Sequence, residues 1–254
     1  MLERMAKFSI FFLGALALVL PAAHAGPARL YITTETSAPA SMAQDGKVIG
    51  SATEKVREIM ARTGQGYTIE LQPWRRAYTA ALQRPDACVY STTRTPEREK
   101  LFKWIGPTDE GEWVLMGRAD RALQLRTLED ARALRIGTYN GDARDDYLRT
   151  RGFQVDPAHN DMANPTKLLM GRIDLWAASL RRGSALLEQN GWADKIVPVL
   201  SFNRIKLYLA CNPALPDTLV AKMNAALEAM TRDGTVRRIE RKYEAWTEQK
   251  GPVQ

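Results

Sequence analysis

Apolar and polar residues alternate over positions 30–35, the period of a half-buried strand. From Ser51 to Thr63 the period changes. Val56, Ile59 and Met60 recur at helical spacing, and Gly64 follows as a stop. These two signals then take turns down the chain. Strands are predicted over 67–71 and 87–91, with a helix over 73–82 between them. Its Pro73 sits near the first turn, where a missing N–H breaks no helical bond. Residues 93–107 read as irregular and 113–117 as extended. A second set follows: helix 128–134, strand 135–139, helix 142–151 ended by Gly152, strand 153–155, helix 165–170, strand 173–177, helix 180–189 and extended 196–200. One more strand, 206–211, precedes helical sequence over 217–246, interrupted near Gly234. Strands alternating with short helices predict a mainly parallel α/β sheet. Two consecutive sets of such units predict two lobes. The chain holds no internal repeat and no low-complexity tract.

The first 25 residues obey a different logic. Arg4 and Lys7 precede an apolar run over 8–20, Pro21 breaks it, and Ala23-His24-Ala25 has the small-x-small form that a signal peptidase cuts. The run is shorter than the roughly 20 residues a membrane span needs. Residues 1–25 are therefore expected to be an export signal cut after Ala25, leaving Gly26 first. The remainder is expected to be a soluble protein of an oxidising compartment, the bacterial periplasm.

Composition changes this picture in three places. With 45% hydrophobic and 26% charged residues, the chain is of ordinary globular type, which excludes a disordered, collagenous or coiled-coil protein. A net charge of +7 is modest for 254 residues, and no run of basic residues appears, so nucleic acid is not an expected partner. Of the two histidines, His24 lies in the export signal and His159 stands alone, too little for a histidine metal site or a Ser-His-Asp triad. No metal and no cofactor are expected. The two cysteines, Cys88 and Cys211, lie in apolar, strand-like stretches. In an oxidising compartment they are either buried thiols or a bridge, and the residues alone leave both open.

The run Ser91-Thr92-Thr93-Arg94-Thr95-Pro96-Glu97-Arg98, followed by Phe102-Lys103-Trp104-Ile105-Gly106-Pro107, resembles the polar-amino-acid class of periplasmic solute-binding proteins. Residues 45–50 (Asp-Gly-Lys-Val-Ile-Gly), 171–174 (Gly-Arg-Ile-Asp) and Asp233-Gly234 agree with it, and the likeness covers essentially all of the chain after residue 25. The resemblance implies a two-lobed periplasmic-binding-protein-like (type II) α/β fold with two crossover hinge strands. Lobe 1 would comprise residues 26–112 and 206–254, and lobe 2 residues 113–205. A small solute would close between them.

The motif has its own chemistry. Thr95 can cap a turn opened by Pro96, leaving free N–H groups beside a guanidinium, a combination that holds a carboxylate. By resemblance, Arg98 is the arginine that clamps an amino acid's α-carboxylate, with Thr93 and Ser91 giving hydroxyl and main-chain contacts. Trp74 stands near where relatives place a stacking aromatic, with Arg75 beside it. Gly141, Asp142 and Ala143 begin a lobe-2 helix whose N-terminus meets the ligand. Two departures limit the choice of solute. Residues 37–42 lack the aromatics usual around that turn, and Ser179 stands where relatives often place an acid that holds the α-ammonium. Carboxylate capture is retained without the amine-holding acid.

The resemblance further implies that the returning strand 206–211 runs antiparallel beside strand 87–91. That would set Cys88 and Cys211 on neighbouring strands and favour the bridge. The expected function is capture of a small polar or carboxylated solute for import through an ABC permease of the inner membrane, by a monomer that is not an enzyme. The alternatives are a lyase or dehydratase on the same fold, and a ligand-sensing subunit for a membrane receptor.

Overall fold

The computed structural model describes residues 29–249, with side chains as far as 244. The expected export signal lies outside the described residues. The chain folds as β1 (Leu30–Thr34), β2 (Met42–Gln44), β3 (Lys47–Ile49), α1 (Ser51–Thr63), β4 (Tyr67–Leu71), α2 (Trp74–Gln83), β5 (Ala87–Thr93) and β6 (Lys103–Arg118). Then come β7 (Ile136–Tyr139), α3 (Ala143–Thr150), β8 (Val155–Ala158), α4 (Ala163–Leu169), β9 (Leu175–Ser179) and α5 (Leu180–Gln189). β10 (Ile196–Cys211), α6 (Asp217–Arg232) and α7 (Thr235–Gln249) complete it.

Eight strands form one mixed sheet in the order β4-β1-β5-β10-β6-β9-β7-β8. The connections explain that order. β1 pairs in parallel with β4 and β5, and β7 pairs in parallel with β8 and β9, as helical crossovers demand. Between these halves, β6 and β10 run antiparallel from Ile196 opposite Arg118 to Cys211 opposite Lys103. The far end of β10 pairs with β5, and the far end of β6 pairs with β9. The ribbon β6/β10 thus belongs to both halves, and the two passages of chain between them are these strands.

Each half has its own core. Ile32, Val56, Ile59, Met60, Tyr90, Met223 and Met230 pack between the first half of the sheet and helices α1 and α6, with Ile239 and Tyr243 of α7 against them. In the second half, Met116, Leu168, Trp176 and Leu187 pack on one face of the sheet, and Leu115, Ile136, Leu148 and Leu175 on the other. One charged group is buried in the first core. Lys55, 1% exposed, donates to the Thr108 carbonyl and to Glu240 Oε1, each at 2.8 Å, and so ties α1 to β6 and α7.

Helices α1 and α5 and strand β4 have the bounds the pattern predicts. Elsewhere the structure differs. The extended stretches 196–200 and 206–211 are one strand. Register shifts after Pro198, Ser201 and Leu207 break the alternation that would have marked it as continuous. The expected helix 128–134 is only a 3-10 turn over Leu128–Ala131, held by a capping box between Thr127 and Asp130. The strand expected at 153–155 lies at Val155–Ala158, and α4 starts two residues before 165. β2 and β3 form a hairpin that the pattern did not predict, although Asp45-Gly46, at φ 50° and 72°, is the pair a tight hairpin turn requires.

Cys88 and Cys211 are directly opposite on β5 and β10 and are joined by a disulfide, with S–S 2.03 Å. Both are fully buried in the first core. Of the two readings the residues left open, the bridge holds.

Candidate functional site

Where the two halves face each other across the β6/β10 ribbon lies a cavity of about 550 Å³, open to solvent on one side. The first half contributes Glu35, the turn at residues 37–40, Trp74 at the start of α2, and Ser91 and Thr93 on β5. The ribbon contributes residues 109–113 together with Arg204, Ile205 and Leu207, and the second half contributes Asp142, Arg144 and residues 179–182. Strand ends and helix N-termini thus converge on it, as at other ligand sites of α/β sheets.

Local chemistry fixes each wall. The turn after β1 is tied by Ser37 N to Ser41 O at 2.7 Å and by Ser41 Oγ to the Glu35 carbonyl at 2.7 Å. Its carbonyls replace a side-chain cap on α1, because Ser51 N donates to Pro39 O and Ala52 N to Ala40 O. That contact requires Gly50, at φ 132°, since a Cβ there would lie 2.2 Å from the Ala40 oxygen. Ser91 holds a left-handed φ of 59° inside β5, where the pairing with β10 is irregular. Strain of this kind in a non-glycine residue collects at functional sites.

Helix α3 begins on Asp142, whose Oδ1 accepts from Arg144 N at 2.8 Å and from Arg144 Nε at 2.7 Å. Arg144 is buried and donates further to Asp161 and to the Ala177 carbonyl. Burial works against the Asp142 charge, but the Arg144 guanidinium overrides it and holds the carboxyl below its ordinary range. Burial likewise disfavours the Arg144 cation, yet the Asp142 and Asp161 carboxylates raise its pKa. At the start of α5, Ser179 makes no side-chain cap, so the first turn of that helix is open toward the cavity. Arg182, in that turn, reaches Glu35 with Nη1 2.5 Å from Oε1 and Nη2 3.3 Å from Oε2. Burial raises the Glu35 carboxyl above its usual range, and Arg182 opposes the shift.

More contacts span the cleft. Trp74 Nε1 donates to the Gly141 carbonyl at 2.9 Å, and Arg98 Nη2 lies 3.2 Å from both that carbonyl and Asp146 Oδ2. Arg98 also stacks over the Tyr78 ring, 4.8 Å from its centroid. Arg181 reaches Asp109 at 3.4 Å.

Of the expected residues, Trp74, Ser91, Thr93, Asp142 and Ser179 line the cavity. Arg98 is not among the lining residues; its guanidinium is engaged by α3. Gly141 takes part through its carbonyl, and Ala143 is buried with Trp113 and Ile205. Arg75 is exposed on α2 and stands outside the cavity wall. Sequence reasoning missed Glu35, Arg144 and Arg182. Their positions carry a signal, since Glu35 ends the first strand segment and both arginines lie in the first turn of a lobe-2 helix. Nothing in the sequence says that residues 35 and 182 meet.

The sequence profile of the bacterial extracellular solute-binding proteins, family 3, matches residues 30–245. Among solved structures, a histidine kinase sensor domain with similarity to periplasmic binding proteins aligns at TM-score 0.78 and 18% identity, over 85% of this chain and 96% of its own. An ancestral arginine-binding protein bound to arginine aligns at TM-score 0.73 and 22% identity, over 85% and 97%. An arginine 3rd transport system periplasmic binding protein from Legionella pneumophila aligns at 0.70 and 21%, over 85% and 99%. No curated protein matches the sequence. Among the described residues no helix is long and apolar enough to cross a membrane.

Proposed function

The chain belongs to the bacterial extracellular solute-binding proteins, family 3, and from that premise we propose that it captures a small polar or carboxylated solute in the cavity between its two halves and delivers it, from the periplasm, to an ABC permease. The observation that carries this reading is the cavity itself, walled by both halves and bridged by side chains from each. Within the described residues, the lobes are 29–112 with 206–249, and 113–205. The ribbon β6/β10 is the hinge.

The contacts divide by chemistry. Ser91 and Thr93 offer hydroxyls, the open first turn of α5 at Ser179 offers N–H groups to an anionic or carbonyl oxygen, and Trp74 offers an aromatic face. Arg98 acts in closure, because its bonds to Gly141 and Asp146 join one half to the other. A solute that touches both walls favours that closed state by its differential affinity for it. Since relatives of known structure are named for arginine, amino acids and their carboxylate analogues are the first solutes to test. A thermal-shift screen of amino acids, opines and small carboxylates on the protein lacking residues 1–25 tests the reading. At least one solute should raise the melting temperature with concentration as mass action requires. A flat response to the whole panel would argue against capture of this solute class.

A further inference from the structure

Three of the acids that wall the cavity are already matched by arginines of the chain itself, while Glu112 accepts from Ser201 Oγ and Glu110 is exposed. Asp142 is bonded to Arg144, Asp109 to Arg181, and Glu35 to Arg182. The last pair stands out among them. Like Asp109 with Arg181 it joins opposite halves, with the carboxylate just after β1 and the guanidinium on α5, 147 residues apart. It is also the most fork-like, with two nitrogens on two oxygens, while the Glu35 side chain is only 16% and the Arg182 side chain only 26% exposed. A guanidinium thus reaches into the cavity and sits on its carboxylate in the manner of a basic side chain.

We propose that Arg182 is the specificity-determining residue of this cavity: its guanidinium fills the place on Glu35 that a cationic solute would take, so the cavity turns away solutes with a basic side chain. The inference rests on the reading of the cavity as the solute site. Exchange of one guanidinium for another at Glu35 gains no new charge pairing. It leaves Arg182 without its partner beside the incoming cation, and the solute loses its translational freedom as well. Arg144 cannot relieve the crowding, being held by Asp142 and Asp161. Solutes that are neutral or anionic at their far end meet no such competitor.

L-arginine and L-citrulline test this, because they differ only by guanidinium against urea. Methylguanidinium serves as a probe free of amino-acid groups. Calorimetric titration of the wild type should show no preference for arginine over citrulline. In Arg182→Ala, arginine should bind at least 10-fold more tightly than citrulline, and methylguanidinium should raise the melting temperature of the variant alone. The double variant with Glu35→Gln should lose both gains. Arg182→Met, which keeps the packing of the aliphatic stem, is measured in parallel in case the alanine variant is poorly folded. A wild type that prefers arginine, or folded Arg182 variants that gain nothing for either guanidinium, would overturn the inference. A solute from the screen still binding in that case would leave the capture reading standing. A gain in the variants with no solute bound by the wild type would do the reverse.

Discussion

Arg98 and Asp146 meet across the cleft, a guanidinium nitrogen 3.2 Å from a carboxylate oxygen, with the arginine side chain 5% and the aspartate 53% exposed. The arginine of the Thr-Pro-Glu-Arg motif therefore spends its charge on the first helix of the other half. The Trp74 indole donates to the Gly141 carbonyl at the same place.

A role in closure and a role as a carboxylate clamp predict different things for Asp146. If Arg98 acts by bridging the halves, Arg98→Ala and Asp146→Asn should both weaken solute affinity, each by about 1 kcal/mol or more, or roughly fivefold. A clamp freed of its competitor would instead bind the solute better in Asp146→Asn. Titration of the two variants with a solute from the screen checks this.

The disulfide closes a loop from Cys88 to Cys211 that contains the whole of the second half. Thiol titration of unreduced, denatured protein should find no free thiol. Replacing both cysteines by serine is expected to lower unfolding free energy by about 2–5 kcal/mol, measured in denaturant. A loss below 1 kcal/mol would mean the unfolded chain is little constrained by the bridge.

Gly50 couples a cavity wall to helix α1. An alanine there adds backbone strain at φ 132° and a Cβ 2.2 Å from the Ala40 oxygen. Gly50→Ala should therefore cost about 3 kcal/mol in stability. Because the turn at 37–40 must move, it should also weaken solute binding, while Gly46→Ala, whose Cβ meets nothing, leaves affinity unchanged.

Alkaline stability follows from buried phenols. Burial pushes the Tyr243 hydroxyl up to about 12, and its bond to Glu54 adds to the shift. Tyr90 is raised in the same direction by its burial. A pKa raised on folding means that this stability is complete below the ordinary tyrosine value of about 10 and is lost as pH rises through the folded value. Unfolding free energy should fall between pH 10 and about 12, and Tyr243→Phe should flatten part of that slope. An unchanged slope in the variant would assign the loss to other groups.

What was legible in the sequence divides along physical lines. α1 and α5 were readable because local signals bound them, Gly64 in its left-handed conformation after α1 and strand-to-helix switching at Leu180. The motif at 91–98 gave the place of a turn but not its cap: the 3-10 helix starts at Glu99, after Arg98 and without a side-chain cap, and Thr95 bonds the Glu97 carboxylate instead. β10 was read as two pieces because its bulges hide the period. The charged core of the cavity was not readable, since Glu35 and Arg182 carry meaning only once the fold sets them together. The bridge between Cys88 and Cys211 stands between these cases, because strand order has to be assumed before the register of two apolar stretches can be compared.

The central claim is that a solute binds between the halves, against Thr93 and Ser179. Calorimetric titration of the best solute from the screen into wild type and Thr93→Trp tests it most directly. The indole would project into a cavity of about 550 Å³ from a strand that otherwise keeps its place. Saturable one-to-one binding to the wild type, reduced at least 100-fold in a variant that melts near the wild-type temperature without solute, is the predicted result. Equal affinity in the two proteins would place the solute elsewhere and contradict the account.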